Sequence, residues 1–175
     1  FPKDVKALHK SGKDHNYDFD ILKAVIKVND VQKKILIPRI LSHFKNELKD
    51  KTFGIWGLAF KPETDDIREA PALYMIEELL KHGASLNVFD PEAITNVKRK
   101  FGDQLNYTTN MYEAIKDVDA LIICTEWSIF RTPDFSKLKG DMKNPIIFDG
   151  RNLYDVKDLK AEGFYYSSIG RNPTT

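Results

Sequence analysis

The sequence predicts an α/β fold, a doubly wound, mostly parallel sheet that is preceded by a long helical arm. From residue 52 onward, short apolar segments alternate with segments of helical periodicity. Two of the apolar segments, 120–124 and 145–148, are continuous, as in strands whose two faces are both covered. Before residue 52, apolar residues recur every three or four positions from about residue 19 to residue 46, which predicts one long helix.

The helical arm contains a short helix, a loop and the long helix. Residues 4–10 are predicted to form the short helix, and the polar residues 11–18 the loop. Pro38 lies inside the long periodic segment and is expected to bend or interrupt it. The apolar stripe of this helix is wide, which indicates either a subunit interface or packing against the rest of the same chain.

The charged residues 49–51 mark the predicted boundary between two domains, 1–49 and 50–175. In the second domain, Pro71 and Gly83 are typical of the first turn and the end of a helix. The predicted strands are 53–58, 85–89, 120–124, 145–148 and 164–168, and the predicted helices are 71–81, 92–101, 110–116, 133–138 and 155–161. Right-handed crossovers place the carboxyl ends of all parallel strands on one edge, in a Rossmann-like arrangement.

Polar residues follow four of these strands, and they are therefore expected to meet at that edge. They are Lys61, Asp90, Thr125 to Trp127, and Asp149 to Arg151. Two of them, Lys61 and Arg151, are cations and suit a phosphorylated ligand. Cys124, on a buried strand, is expected to be unreactive, and Trp127 is expected to pack in the core or at its margin.

The composition excludes several classes of function. The formal net charge of the 175 residues is +1, and basic residues are interleaved with acidic ones, which disfavours nucleic acid and membrane surfaces as partners. No apolar run approaches ~18 residues, and no signal peptide is visible. A single Cys excludes an intrachain disulfide and agrees with a cytoplasmic protein. The four His residues have no spacing that predicts a metal site.

Four motifs resemble those of one family of enzymes. Residues 54–71 read GIWGLAFKPETDDIREAP and residues 1–8 read FPKDVKAL, with TEW at 125–127 and DGRN at 149–152. In this order they resemble the nucleotide-sugar 6-dehydrogenases, the UDP-glucose/GDP-mannose dehydrogenase family. The segment TDDIREAP is most similar to the UDP-glucose 6-dehydrogenases. The resemblance covers essentially the whole chain and implies a C-terminal fragment that starts just after the active-site Cys.

The resemblance implies an NAD-dependent enzyme that oxidises UDP-glucose to UDP-glucuronate. Two hydride transfers would pass through a thiohemiacetal and a thioester on the Cys that precedes Phe1. It also implies a homodimer formed through the helix around 19–48, with 1–49 as part of a central helical domain and 50–175 as the UDP-sugar-binding domain. A sister enzyme acting on UDP-N-acetylmannosamine or GDP-mannose, and a non-catalytic dimerisation module, remain the alternatives.

The resemblance also assigns roles to single residues. The substrate-binding residues are Phe1, Phe60, Lys61 and Arg151, the cofactor-binding residues are Lys3 and Arg68, and the catalytic residue is Asp4, which would assist the water and proton steps. From the residues alone, Asp4 is a carboxylate at a helix start rather than a catalytic group. Arg68 is equally one member of an exposed ion pair with Glu69. No metal is implied.

Overall fold

The structure is a computed structural model that describes residues 2–174. Phe1, which the resemblance assigns to the substrate pocket, lies outside the described residues. The chain divides into two compact units that join between Ile35 and Leu36. The division into 1–49 and 50–175 concerns dimerisation and ligand binding, and it stays a prediction.

The first unit consists of two helices, α1 (Pro2–Asp14) and α2 (Asp20–Gln32). Helix α1 runs longer than the predicted 4–10 and includes Gly12, against which the ring of Phe19 packs. A Cβ atom at Gly12 would lie 2.4 Å from that ring, so the close approach requires a glycine. None of the residues of α2 is buried.

The structure forms two helices over 19–46 rather than one continuous helix, which confirms the interruption expected from Pro38. Helix α2 ends at Gln32, a turn occupies 33–35, and α3 (Leu36–His43) follows. In one continuous helix the ring of Pro38 would clash with the carbonyl of Lys34. As the third residue of α3, Pro38 instead lies where a backbone N–H has no partner inside the helix. Helix α3 belongs to the second unit, where Leu36, Ile37 and Ile40 are buried.

The second unit is built on a six-stranded sheet of order β3-β2-β1-β4-β5-β6, in which every pair is parallel. This confirms the predicted doubly wound sheet. The strands are β1 (Thr52–Trp56), β2 (Ser85–Phe89), β3 (Asn106–Tyr107), β4 (Ala120–Ile123), β5 (Ile146–Asp149) and β6 (Tyr165–Ser168). Strand β3 was not predicted, because two residues carry no alternation and become a strand only by pairing with β2.

Helices cover both faces of the sheet: α4 (Pro71–Lys81), α5 (Ile94–Phe101), α6 (Phe135–Asp141) and α7 (Val156–Ala161). Helix α4 has the predicted bounds, and α6 and α7 begin where Asp134 and Asp155 cap them by accepting from backbone N–H groups. The predicted helix over 110–116 is wrong, since only a single 3-10 turn, Glu113–Ile115, forms there. The left-handed backbone of Asp117 ends that segment.

The core lies around β1 and β4, whose side chains the helices cover. Phe53, Ile55 and Trp56 of β1 are fully buried. The indole of Trp56 stacks on the ring of Phe130 with 5.0 Å between centroids and donates to the carbonyl of Met111 at 2.8 Å. Within residues 2–174, no helix has both the length and the apolar character needed to cross a bilayer.

Candidate functional site

The turn after β1 is tied directly to the segment that follows β4. Gly57 has a φ of +87°, and a Cβ atom there would lie 2.5 Å from the Cβ of Thr125. Only glycine allows both this backbone conformation and this approach. The hydroxyl of Thr125 donates to the carbonyl of Ala59 at 2.6 Å. The two segments therefore form one rigid corner at the carboxyl edge of the sheet.

Asp90, which follows β2, is the structural centre of this corner. It is 2% exposed, so its carboxylate needs partners to offset the loss of water. Its two oxygens accept five hydrogen bonds, from the backbone N–H groups of Leu58, Ala59, Glu92 and Ala93 and from the indole of Trp127. The carboxylate is thus committed to the turn after β1 and the loop after β2, with little left for a ligand.

Asp149, at the end of β5, shapes the loop that carries Arg151. The buried carboxylate accepts from the backbone N–H groups of Arg151 and Leu153, each at 2.7 Å, and from the hydroxyl of Tyr166 at 2.7 Å. Burial, together with the neighbouring Asp149, raises the pKa of Tyr166. The phenol therefore stays protonated and donates to Asp149, which holds the loop in place.

Arg151 crosses from this loop to the corner formed by the other segments. Its Nε donates to the carbonyl of Cys124 at 3.0 Å, and its Nη2 donates to the carbonyl of Phe60 at 3.2 Å. Nε also lies 2.8 Å from Oε2 of Glu126, in an ion pair whose side chains are 29% and 34% exposed. Two backbone carbonyls and one carboxylate therefore fix the guanidinium at the edge of the sheet.

The contact between Arg151 and Phe60 also places Lys61 at the same edge, because Lys61 is the next residue in the chain. Lys61 is exposed, whereas Phe60 is partly buried and packs against the core. The predicted convergence of positions 61, 90, 125–127 and 149–151 is confirmed. The substrate-binding roles of Phe60, Lys61 and Arg151 stay predictions.

Arg68 lies farther along the loop after β1, where it pairs with Asp66. The guanidinium donates to both carboxylate oxygens over 2.6 to 3.1 Å, and its side chain is 81% exposed. The hydrogen bond from Arg68 to Asp66 raises the pKa of the guanidinium. Lys3 and Asp4 are exposed residues of the first turn of α1, in the helical unit. The cofactor and catalytic roles of these three residues stay predictions.

A surface hollow of about 430 Å³ beside this loop is not suited to a phosphate. Its lining consists mostly of polar and acidic side chains: Glu63, Thr64, Asp65, Glu92, Thr95, Asn96 and Arg99. The three carboxylates outnumber the single guanidinium, so the field in the hollow repels an anion. The edge that carries Lys61 and Arg151 is therefore the better candidate for a phosphorylated ligand.

Two further predictions at this edge are confirmed. Cys124 is buried, and burial raises the pKa of its thiol to about 12, so it remains an unreactive thiol at neutral pH. Trp127 is 4% exposed and is packed in the core. Among the residues described, no group of three or more His, Cys, Asp or Glu side chains is arranged to hold a metal ion.

Comparison with known proteins identifies the family. Residues 54–156, which include Lys61 and Arg151, match the UDP-glucose/GDP-mannose dehydrogenase family, UDP binding domain. The chain belongs to this family. It is 42% identical to UDP-glucose 6-dehydrogenase of Pseudomonas aeruginosa and 39% identical to UDP-glucose 6-dehydrogenase TuaD of Bacillus subtilis, in each case over 98% of its length. The solved UDP-glucose dehydrogenase of Pyrobaculum islandicum superposes on 98% of the chain with a TM-score of 0.81 at 28% identity.

The chain spans only part of these family members, namely 39%, 37% and 37% of their respective lengths. The matched domain covers the sheet from β1 to β5 and ends at the start of α7. It thus contains Lys61, Asp90 and Arg151, whereas Tyr166, which supports the loop of Arg151, lies beyond it.

For two of the residues that shape this edge, the sequence indicates no partner. Glu126 belongs to the TEW motif, but the motif assigns it no partner, and its pairing with Arg151 depends on the packing of two separate loops. Tyr166 lies within β6, and its strand periodicity indicates only burial. No pattern in the sequence relates it to Asp149.

Proposed function

We propose that this chain is the C-terminal, substrate-nucleotide-binding part of a cytoplasmic, NAD-dependent UDP-glucose 6-dehydrogenase. Its own task is to hold the UDP-sugar at the carboxyl edge of the sheet. The observation that carries the proposal is the guanidinium of Arg151, which donates to the carbonyl of the residue before Lys61, within the segment that matches a UDP-binding domain.

The charges and free donors at this edge suit a diphosphate sugar. Two of the five N–H groups that a guanidinium carries are engaged by backbone carbonyls. For the remaining N–H groups of Arg151, the described residues provide no hydrogen-bond acceptor, and these groups are the ones we assign to the sugar end of the ligand. The exposed ammonium of Lys61 adds a mobile positive charge for sugar and phosphate oxygens. We also assign Phe60, which is partly buried against the core, to a contact with the same ligand.

The oxidation itself requires NAD as the hydride acceptor, and this sheet offers no evident site for it. In a dinucleotide fold, an acidic residue after the second strand binds a ribose. Here that residue, Asp90, is buried and already accepts five hydrogen bonds. We therefore assign to this chain only peripheral cofactor contacts, through the exposed cations Lys3 and Arg68. Asp4, exposed on α1, is assigned to the water and proton steps.

A titration with UDP and GDP tests the binding proposal. We expect UDP to shift the amide resonances of residues 57–62, 124–127 and 149–152 in a two-dimensional NMR spectrum, with weaker shifts from GDP. Calorimetry on the same samples gives the dissociation constants. If neither nucleotide perturbs these segments at millimolar concentration, the proposal fails. A preference for GDP would instead favour the sister enzyme that acts on GDP-mannose.

We also propose a homodimer in which the seam around 19–48 is formed by α2. Its stripe of Ile21, Val25, Val28 and Val31 is 38% to 79% exposed, which is an unusual density of uncovered apolar residues on one helix. A second copy of the chain would cover the stripe by packing α2 against α2. The apolar residues of α3 are already buried in the second unit, so they leave α2 as the seam.

Sedimentation of a charged variant tests this seam. Val28→Lys adds a charge to the stripe and should yield monomers where the unmodified chain forms dimers. Asn29→Lys adds the same charge at the neighbouring exposed position and should leave the dimer intact. If the unmodified chain and Val28→Lys had the same sedimentation coefficient, the proposed dimer seam would be contradicted.

A further inference from the structure

The ion pair between Glu126 and Arg151 has an unusual geometry. The hydrogen on Nε of Arg151 points to the carbonyl of Cys124, while Oε2 of Glu126 lies 2.8 Å from the same nitrogen. Oε2 is buried, yet no donor among the described residues forms a hydrogen bond with it. The carboxylate thus contributes its charge to Arg151 while its capacity to accept hydrogen bonds remains unused.

This arrangement determines the charge that a ligand meets. A guanidinium alone attracts any anionic group, and it can bind a carboxylate through two parallel hydrogen bonds. A carboxylate in contact with the guanidinium cancels most of this attraction, because the net charge of the pair is zero. The pair then offers donors on Arg151 next to an acceptor on Glu126, and a hydroxyl group, which both donates and accepts, matches that combination.

We propose that Glu126 is a specificity-determining residue. Paired with Arg151, it makes the site bind a nucleotide sugar that bears only hydroxyl groups more tightly than one that bears a carboxylate. The inference rests on the proposed function, since it takes the UDP-sugar to lie at this edge. In an enzyme that converts a primary alcohol of the sugar into a carboxylate, such a residue favours substrate over product. Glu126 therefore limits the retention of the oxidised product.

The test compares a neutral and a charged sugar on two forms of the chain. Dissociation constants of UDP, UDP-glucose and UDP-glucuronate are measured by calorimetry for the unmodified chain and for Glu126→Gln. At low salt, we expect Glu126→Gln to lower the ratio of the two dissociation constants, UDP-glucuronate over UDP-glucose, about tenfold. A lower ratio means that the carboxylate-bearing sugar binds relatively more tightly. The change should shrink between about 0.02 M and about 0.5 M salt, because screening weakens a charge effect.

Two variants serve as controls. Glu126→Asp keeps the charge and should retain most of the original ratio. Glu77→Gln removes the same charge from the ion pair between Glu77 and Lys100, which joins α4 to α5, and should leave the ratio unchanged. An unchanged ratio in Glu126→Gln, with UDP still bound, overturns the role of Glu126 and leaves the proposed function standing. Failure of the unmodified chain to bind UDP overturns both.

Discussion

Asp90 and Arg151 both follow parallel strands at the same edge of the sheet, and the structure uses them in opposite ways. Asp90 is 2% exposed and accepts five hydrogen bonds from the protein itself. Arg151 is partly exposed, and only some of its N–H groups are engaged. Both residues follow the carboxyl end of a strand, yet the hydrogen bonds of Asp90 stabilise the fold, whereas Arg151 retains donors for a ligand.

Polar residues that stabilise a sheet edge differ from those that bind a ligand there in how many of their hydrogen-bond donors or acceptors remain unused. A buried carboxylate with all its lone pairs satisfied stabilises the fold and cannot easily exchange its partners. A guanidinium held by backbone carbonyls keeps its direction and still offers N–H groups to solvent. Substitutions at the two positions should accordingly affect different measurements.

The largest effect is expected from Asp90→Ala. The substitution leaves the buried N–H groups of Leu58, Ala59 and Trp127 without an acceptor, which should lower the free energy of unfolding by about 3 to 5 kcal/mol. Urea denaturation followed by circular dichroism measures it. The exposed Asp103 serves as a control, since Asp103→Ala should change stability by less than ~0.5 kcal/mol. A loss below ~1 kcal/mol for Asp90→Ala would contradict the structural role.

Arg151→Gln should affect binding more than stability. Loss of the charged donors is expected to raise the dissociation constant of UDP-glucose about tenfold or more, measured by calorimetry. The free energy of unfolding should fall by only ~1 kcal/mol, because the lost contacts are partly exposed. Arg99→Gln, on α5, is the matched control and should leave the dissociation constant unchanged. If Arg151→Gln instead lost stability and kept its affinity for UDP-glucose, Arg151 would be a residue that stabilises the fold, like Asp90.

Tyr166→Phe tests whether the loop that carries Arg151 depends on its buried support. Removing the hydroxyl takes a hydrogen bond from Asp149 and should lower the free energy of unfolding by about 1 to 2 kcal/mol. UDP-glucose affinity should weaken a few-fold as the loop loses its fixed position. Tyr165, the preceding residue, packs its ring on that of His43 with 4.2 Å between centroids, and Tyr165→Phe should show neither change. An unaltered affinity in Tyr166→Phe would show that Asp149 holds the loop alone.

The smallest effect is expected at the opposite edge of the sheet, where Asp119 precedes β4. Burial raises the pKa of this carboxyl, but the N–H of Thr52 and the ammonium groups of Lys143 and Lys51 outweigh burial and hold it below its usual value of 3.8. A lowered pKa contributes stability above the unfolded value, and this stability is lost as the pH falls through the folded value.

Unfolding measured in urea between about pH 5 and about pH 2 checks this prediction. Stability of the unmodified chain should fall below about pH 4, and Asp119→Asn should fall less steeply. If the free energy of unfolding fell equally steeply with pH in both proteins, Asp119 would not contribute to the acid sensitivity.

Several elements could be predicted from the sequence because their signals are local. Helix α4 begins at Pro71, carries apolar residues at helical spacing and ends just before the positive-φ Gly83, so neighbouring residues suffice to fix it. Strand β3 depends on its pairing with β2, which no local pattern contains. Pro38 indicated a break in the helix before β1, but its exact place at residues 33–35 has no local signal. The same distinction applies to the site, where the sequence predicted that Lys61, Glu126 and Arg151 lie at one edge but not that Glu126 pairs with Arg151.

The sequence by itself determined that cations would meet at one edge of a parallel sheet, because strands that alternate with helices run parallel and have their carboxyl ends at the same edge. Only the tertiary structure decided how each polar residue at that edge is used. Hydrogen bonds act over about 3 Å, so whether Asp90 is fully bonded and Arg151 remains partly free depends on distances set by the packing of separate segments.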